Sequence, residues 1–261
     1  MNSWSTHRKR IIFSLVLAVL IFLIAVPVYL ILHRVPTCFD GKRNGDEIGV
    51  DCGGSCQLLC PVESLPIIPN GDPRVLIIAT STYEVVALFE NPNIDAEVYR
   101  AGYVIKLYES ANPLPIKIME GETYVPRNSV FAIFEGPFLL EDALPQRAIF
   151  SWKNESLVWQ KSDAVLPRIT IQNKELTRTD TTPRLELRVG NNSLNDILNL
   201  EFIVLLSDEF GNTFAGSKTY LDSLPAGGSM PAVFTWPRPF ENEAVLIDIV
   251  PRILPDKSFI R

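Results

Sequence analysis

Phe202-Ile203-Val204-Leu205-Leu206-Ser207-Asp208 sets the fold class of this 261-residue chain. Val204 and Leu206 alternate with Ile203 and Leu205, so an extended backbone here is apolar on both faces and must be covered on both. The run from Asp208 to Asn212, with Gly211 inside it, then supplies a hairpin turn. Similar short runs lie at residues 75–79, 83–89, 103–108, 116–119, 129–134 and 148–152, and again at 168–171, 184–189, 200–206, 213–215, 232–236 and 244–250. They are rich in β-branched and aromatic residues and bounded by Gly, Pro, Asn or Asp. Such spacing predicts an all-β chain of antiparallel sandwiches, and no long amphipathic helical pattern follows residue 32.

The two sets of runs echo one another. Asn91-Pro92-Asn93 answers Asn191-Asn192-Ser193, Tyr103-Val104-Ile105 answers Phe202-Ile203-Val204, Tyr124-Val125-Pro126 answers Ser223-Leu224-Pro225, and Phe134 to Phe138 answers Trp236 to Phe240. The offset stays between 98 and 102 residues. This predicts a duplicated domain, with sandwich 1 over residues 74–166, sandwich 2 over 167–261 and a boundary at Leu166-Pro167. In the second half, Val189-Gly190-Asn191-Asn192-Ser193, the 202–208 strand, Gly211, Leu224-Pro225-Ala226-Gly227 and Phe234 resemble the FxLYD-type immunoglobulin-like domains of prokaryotic surface proteins. Leu206-Ser207-Asp208 stands where that family has Leu-Tyr-Asp, and the first half keeps Leu107-Tyr108 but has Glu109. The resemblance implies two tandem immunoglobulin-like sandwiches that order and space, with no catalytic site.

At the other end, His7-Arg8-Lys9-Arg10 precedes 22 residues, 11–32, without a charge, and His33-Arg34 follows. As a helix rising about 1.5 Å per residue, this run reaches about 33 Å, against a hydrocarbon core of about 30 Å. It is longer than the apolar core of a cleaved signal peptide, and Pro27-Val28-Tyr29-Leu30-Ile31-Leu32 offers no small-residue cleavage site. A buried helix of a soluble protein would not be apolar on every face. The run reads as an uncleaved signal anchor in the lipid bilayer, residues 11–32, after a cytoplasmic tail, 1–10. Arg8, Lys9 and Arg10 place the N-terminus in the cytoplasm and residues 33–261 outside a cell membrane crossed once.

All four cysteines fall in the glycine-rich module 36–60, which suits an oxidising compartment. A segment with so little apolar content needs staples. Two disulfides among Cys38, Cys52, Cys56 and Cys60 are expected, with all three pairings open. A cytosolic four-cysteine zinc site competes, although the intervening spacings of 13, 3 and 3 residues do not match paired zinc knuckles. Asp40, Asn44, Glu47 and Asp51 offer oxygen ligands suited to calcium without the EF-hand spacing; a solvated acidic loop is the alternative. Asp40-Gly41, Asn44-Gly45, Glu47 and Gly49-Val50-Asp51-Cys52-Gly53-Gly54 resemble a cysteine motif of secreted and anchored microbial proteins, of the form C-x-DG-x-x-NG-x-E-x-GVDCGG-x-C-x-x-C. The resemblance implies a surface-exposed spacer module, and the position of Cys60 departs from it by one residue. Pro61, Pro66, Pro69 and Pro73, with Asn70-Gly71-Asp72, mark 61–73 as a stiff linker.

His7 and His33 are the only histidines. A Ser-His-Asp, Cys-His or His-rich metal site is therefore excluded from the part beyond the apolar run. Gly53-Gly54 precedes no helix, so it is no phosphate cradle. A glycosidase-type carboxylate pair would have to use residues such as Glu84, Glu90, Asp208 and Glu209, all at strand ends. Asn154-Glu155-Ser156 and Asn191-Asn192-Ser193 match the sugar-acceptor pattern. Trp152, Trp159 and Trp236 read as core residues, with Trp159 in the joint between the two domains. Residues 33–261 carry 21 basic and 30 acidic residues, a net of −9, which is unsuited to nucleic acid. The expectation is a non-enzymatic, cofactor-free envelope protein that presents two sandwiches to a protein partner in the cell envelope through loops or edge strands, with no small-molecule substrate. The alternatives are an accessory subunit of a membrane secretion, pilus or transport assembly, and a carboxylate-based hydrolase.

Overall fold

The structure is a computed structural model and describes residues 3–32, 35–110, 112–163 and 167–259. The expected boundary residue Leu166 lies outside the described residues, as do His33 and Arg34. The chain divides into two compact units, Met1–Cys56 and Gln57–Arg261.

In the first unit the apolar run forms helix α1, Ser3–Leu32. It begins at Ser3 rather than Ile11, because nothing between them breaks a helix and the basic residues simply continue it. Side chains 7–31 are exposed all round the helix. Its length and composition suffice to cross a membrane over His7–Ile31. After α1, residues 35–56 form turns and one isolated antiparallel bridge, Gly49 to Cys52.

The second unit is built of antiparallel strands. They are β1 (Ile68–Pro69), β2 (Arg74–Ala79), β3 (Thr82–Asn91), β4 (Ala96–Tyr108), β5 (Lys117–Val125), β6 (Ser129–Leu139), β7 (Arg147–Trp152), β8 (Trp159–Lys161), β9 (Ile169–Thr177), β10 (Arg184–Asn191), β11 (Ile197–Ser207), β12 (Thr213–Leu224), β13 (Ser229–Thr235) and β14 (Leu246–Ile253). In one sheet β3 has β6 on one edge and β1 and β2, end to end, on the other. In a second, β4 lies between β5 and the pair β7 and β8. The remaining sheets have the orders β9-β10-β13 and β12-β11-β14.

Three apolar clusters hold these sheets. The first takes alternate residues from the first two sheets: Val85, Ala87 and Phe89 of β3 and Phe131 and Ile133 of β6 meet Val98, Tyr103, Ile105 and Leu107 of β4. The second joins Leu185, Leu187 and Val189 of β10 to Phe202, Val204 and Leu206 of β11. The third is a seam between the halves, where Leu76, Val86, Ala132 and Phe134 pack against Ile203 and Leu205. The 202–206 strand is thus buried on both faces, as its composition requires. Its even residues fill the core of the second half, and its odd residues are covered by the outer face of the first half. The sheets approach closely there. A Cβ on Gly216 would lie 2.7 Å from Leu76 Cδ1 and 3.1 Å from Phe134 Cε2.

Trp159 is a correction. It does not sit in the joint but packs in the first cluster, on β8. A short 3-10 turn, Asn154–Ser156, returns the chain after β7, and β8 then pairs with Ala96, Glu97 and Val98. Residues 61–73, expected as a linker, are bonded along the first half. Leu65 N donates to Asn93 Oδ1 at 2.7 Å, Asn93 Nδ2 donates to Leu65 O at 2.9 Å, and Asn70 N donates to Leu88 O at 2.8 Å. Pro69 lies on an edge, where its missing N–H interrupts no ladder.

Candidate functional site

Two regions gather polar chemistry. The first is the cysteine module. Cys38 is bonded to Cys56, with Cα atoms 5.6 Å apart. Cys52 and Cys60 are also in disulfide linkage, and no described cysteine is free. This removes the four-cysteine zinc reading, because a disulfide sulfur is not a thiolate ligand. Cys38, Glu47 and Cys56 do bring possible ligand atoms within 4.8 Å of one another, but two of those atoms are disulfide sulfurs.

The four candidate calcium ligands share this loop, and their oxygens hold its backbone. Asp51 accepts hydrogen bonds from Asp40 N at 3.1 Å and from Gly41 N at 3.1 and 3.0 Å. Asp40 accepts from Lys42 N at 2.9 Å and Asn44 Nδ2 at 2.8 Å. The Asn44 bond leads the effects that hold the Asp40 carboxyl below its ordinary pKa. Buried Glu47 accepts from Asn44 N at 3.1 Å. Carboxylates and disulfides thus replace the missing apolar core. Gly54 is fixed by the same compactness: at φ +58 a Cβ would lie 2.1 Å from the Asp46 carbonyl oxygen.

The second region is the seam. Arg252 of β14 lies opposite Glu201 of β11 in the ladder. Its Nε donates to Glu201 Oε2 at 2.8 Å, and its Nη2 donates to the same oxygen. Nη1 reaches the first half, donating to Thr123 Oγ1 at 2.7 Å and Tyr124 O at 3.3 Å. Tyr220 OH donates to Glu201 Oε1 at 2.8 Å. The two charged side chains are only 7% and 3% exposed. Beyond β14, residues 254–259 strap the halves together. Tyr99 OH donates to Asp256, and Arg100 Nη2 donates to Ser258 Oγ at 3.1 Å. Buried Phe259 packs edge-on to Tyr99 beneath the Arg100 guanidinium, 5.1 Å from its ring centre.

Of the carboxylates proposed for hydrolysis, Glu84 falls in the seam, and burial pushes its carboxyl up to about 7. Asp208 holds its own hairpin turn, accepting from Phe210 N at 3.0 Å and from Asn212 N at 2.8 Å. Glu90 and Glu209 are exposed. These residues serve a seam, a turn and a surface, and do not build one catalytic pair. A cleft of about 900 Å³ runs between the halves. Several of its polar groups are engaged within the protein: Tyr124 OH donates to Glu97 Oε2 at 2.7 Å, Arg127 Nη1 to Ser162 O at 2.7 Å and Ala226 N to Asp196 Oδ1 at 2.8 Å.

The echoing asparagines turn out to be buried. Asn91 Nδ2 donates to Ala96 O and Pro126 O at 2.9 and 2.8 Å, and Asn191 Nδ2 donates to Asn195 O and Leu224 O at 2.9 and 3.0 Å. Each Oδ1 accepts from the backbone N–H two residues on. Asn191 therefore cannot carry a sugar, whereas Asn154 is exposed. Trp236 is core, with Nε1 donating to Gly216 O at 2.7 Å, and Trp152 joins the ring cluster of Phe89, Phe131 and Phe150.

No family model matches the chain, and no curated protein matches it. Among solved structures, the crystal structure of the 11S allergen from Cocos nucifera L. covers 74% of this chain and 86% of its own at 10% identity, with a TM-score of 0.11, which carries no argument.

Proposed function

We propose that this chain is a non-enzymatic envelope protein held by α1 in a membrane, presenting two immunoglobulin-like sandwiches as one stiff body to a protein partner. The observation that carries this reading is α1 itself, exposed on every side from residue 7 to 31 and uncharged from residue 11 onward. Duplication is supported by the matching strand orders, β2-β3-β6 with β5-β4-β7 and β9-β10-β13 with β12-β11-β14. It is supported again by Asn91 and Asn191, the last residues of β3 and β10, which make corresponding bonds. Stiffness is supported by the seam, where an apolar patch and a buried ion pair couple the halves. A spacer or presenting role needs such rigidity, and the four strand-end carboxylates weighed for hydrolysis do not converge on one pair.

The test is extraction of native membranes with alkaline carbonate, using the full chain and a variant lacking residues 1–32. The full chain should stay with the membrane and the variant should be released. Release of the full chain by carbonate would overturn the anchor.

A further inference from the structure

Glu84 lies opposite Leu76 in the β2–β3 ladder and two residues from Val86, so it shares the face that packs on the second half. Its Oε2 is buried and receives no hydrogen bond. A neutral carboxyl tolerates that position, whereas a carboxylate there is short of a donor it would have in water. The sheets approach closely beside it: a Cβ on Gly216 would lie 2.7 Å from Cδ1 of Leu76, the ladder partner of Glu84.

We propose that the seam between the two halves is a pH-sensitive latch, closed when Glu84 carries a proton and loosened when it is ionised. The charged and titratable groups that line the seam bear on this differently. From β12, Lys218 favours the ionised form, but its ammonium is itself desolvated and is shared with Glu201 and Glu135. It stands over the Phe134 and Tyr220 rings, 5.6 and 5.9 Å from their centres. On β11 and β14, Glu201 and Arg252 neutralise each other. Asp248, opposite Leu205, is exposed. On β6, Glu135 accepts a hydrogen bond from Tyr103. Arg74 of β2 lies opposite Val86, two residues before Leu76. Burial of Glu84 outweighs the pull of Lys218, and the carboxyl rises from 4.5 to about 7. Because the folded state holds the proton more tightly than the unfolded chain, the added stability is complete below about 4.5 and is lost as pH rises through about 7. The switch therefore works across neutrality.

The experiment is thermal and urea unfolding of the full chain in detergent micelles between pH 5.5 and 8, with Glu84→Gln and Lys218→Met beside the wild type. The wild-type unfolding constant should rise about tenfold over this range, after allowance for solvent screening of a partly exposed group. Glu84→Gln should remove that rise, and Lys218→Met should move it to higher pH. Hydrogen exchange at β2 and β12, corrected for intrinsic rates, should show the loss of protection at the seam. Identical pH profiles in wild type and Glu84→Gln, or an unmoved midpoint in Lys218→Met, would overturn the latch.

Discussion

Removing Arg252 tests whether the two halves are one body. In Arg252→Ala the Glu201 carboxylate, 3% exposed, loses its ion-pair partner and keeps the Tyr220 hydroxyl as a donor, with Lys218 as the remaining nearby cation. Thr123 Oγ1 and the Tyr124 carbonyl lose the contact that crosses to the first half. Truncating one member of a buried ion pair costs about 3–5 kcal/mol, most of it the burden of the stranded charge. For a folded body of this size, each kcal/mol lowers Tm by about 2–4 °C, so a drop of about 10 °C is expected. Tryptophan fluorescence of the full chain in detergent reads it, because Trp236 is buried one strand from the seam. The double replacement Arg252→Met with Glu201→Leu removes both charges and should recover most of the loss. A Tm for Arg252→Ala within about 2 °C of wild type would refute the reasoning, since no stranded buried anion costs so little.

Leu205→Asp places an unpaired charge in the seam, so it should part the halves, raising the radius of gyration in X-ray scattering, while far-ultraviolet dichroism keeps its β signal; an unchanged radius would contradict the seam. Cys52→Ser should loosen the cysteine module and leave the sheets folded, and loss of the β signal would place the module in the fold's core. Trp159→Ala, in the first cluster, should cost about 3–5 kcal/mol in urea unfolding, and a cost below about 1 kcal/mol would return Trp159 to the surface. Asn91→Ala removes the side-chain bonds to the Ala96 and Pro126 carbonyls and should cost about 1–3 kcal/mol, with Asn191→Ala matching it; a large difference between the two would argue against a shared structural role.

The strand 202–206 was readable because its own alternation demands two covered faces. What covers the odd face was not readable, since the covering residues, Leu76, Val86 and Phe134, lie some 70–130 residues away and look like ordinary strand residues. Glu84 looked like a strand-end carboxylate for the same reason: burial of an outer face is decided by a neighbour and not by local pattern. Trp159 was misplaced because a three-residue edge strand leaves too short a trace to separate it from a linker. The prolines of 61–73 announced a stiff segment but not that Asn93 clasps it. The echo of Asn91 and Asn191 was visible in sequence, whereas their role required the backbone carbonyls that each bridges.

The most direct test of the anchored, outward-facing account is thiol labelling of intact cells with a membrane-impermeant maleimide, before and after reduction. Labelling of Cys38, Cys52, Cys56 and Cys60 that needs reduction but not lysis is the result the account predicts. Labelling that needs lysis but not reduction would put the module in the cytosol and contradict both the topology and the disulfides.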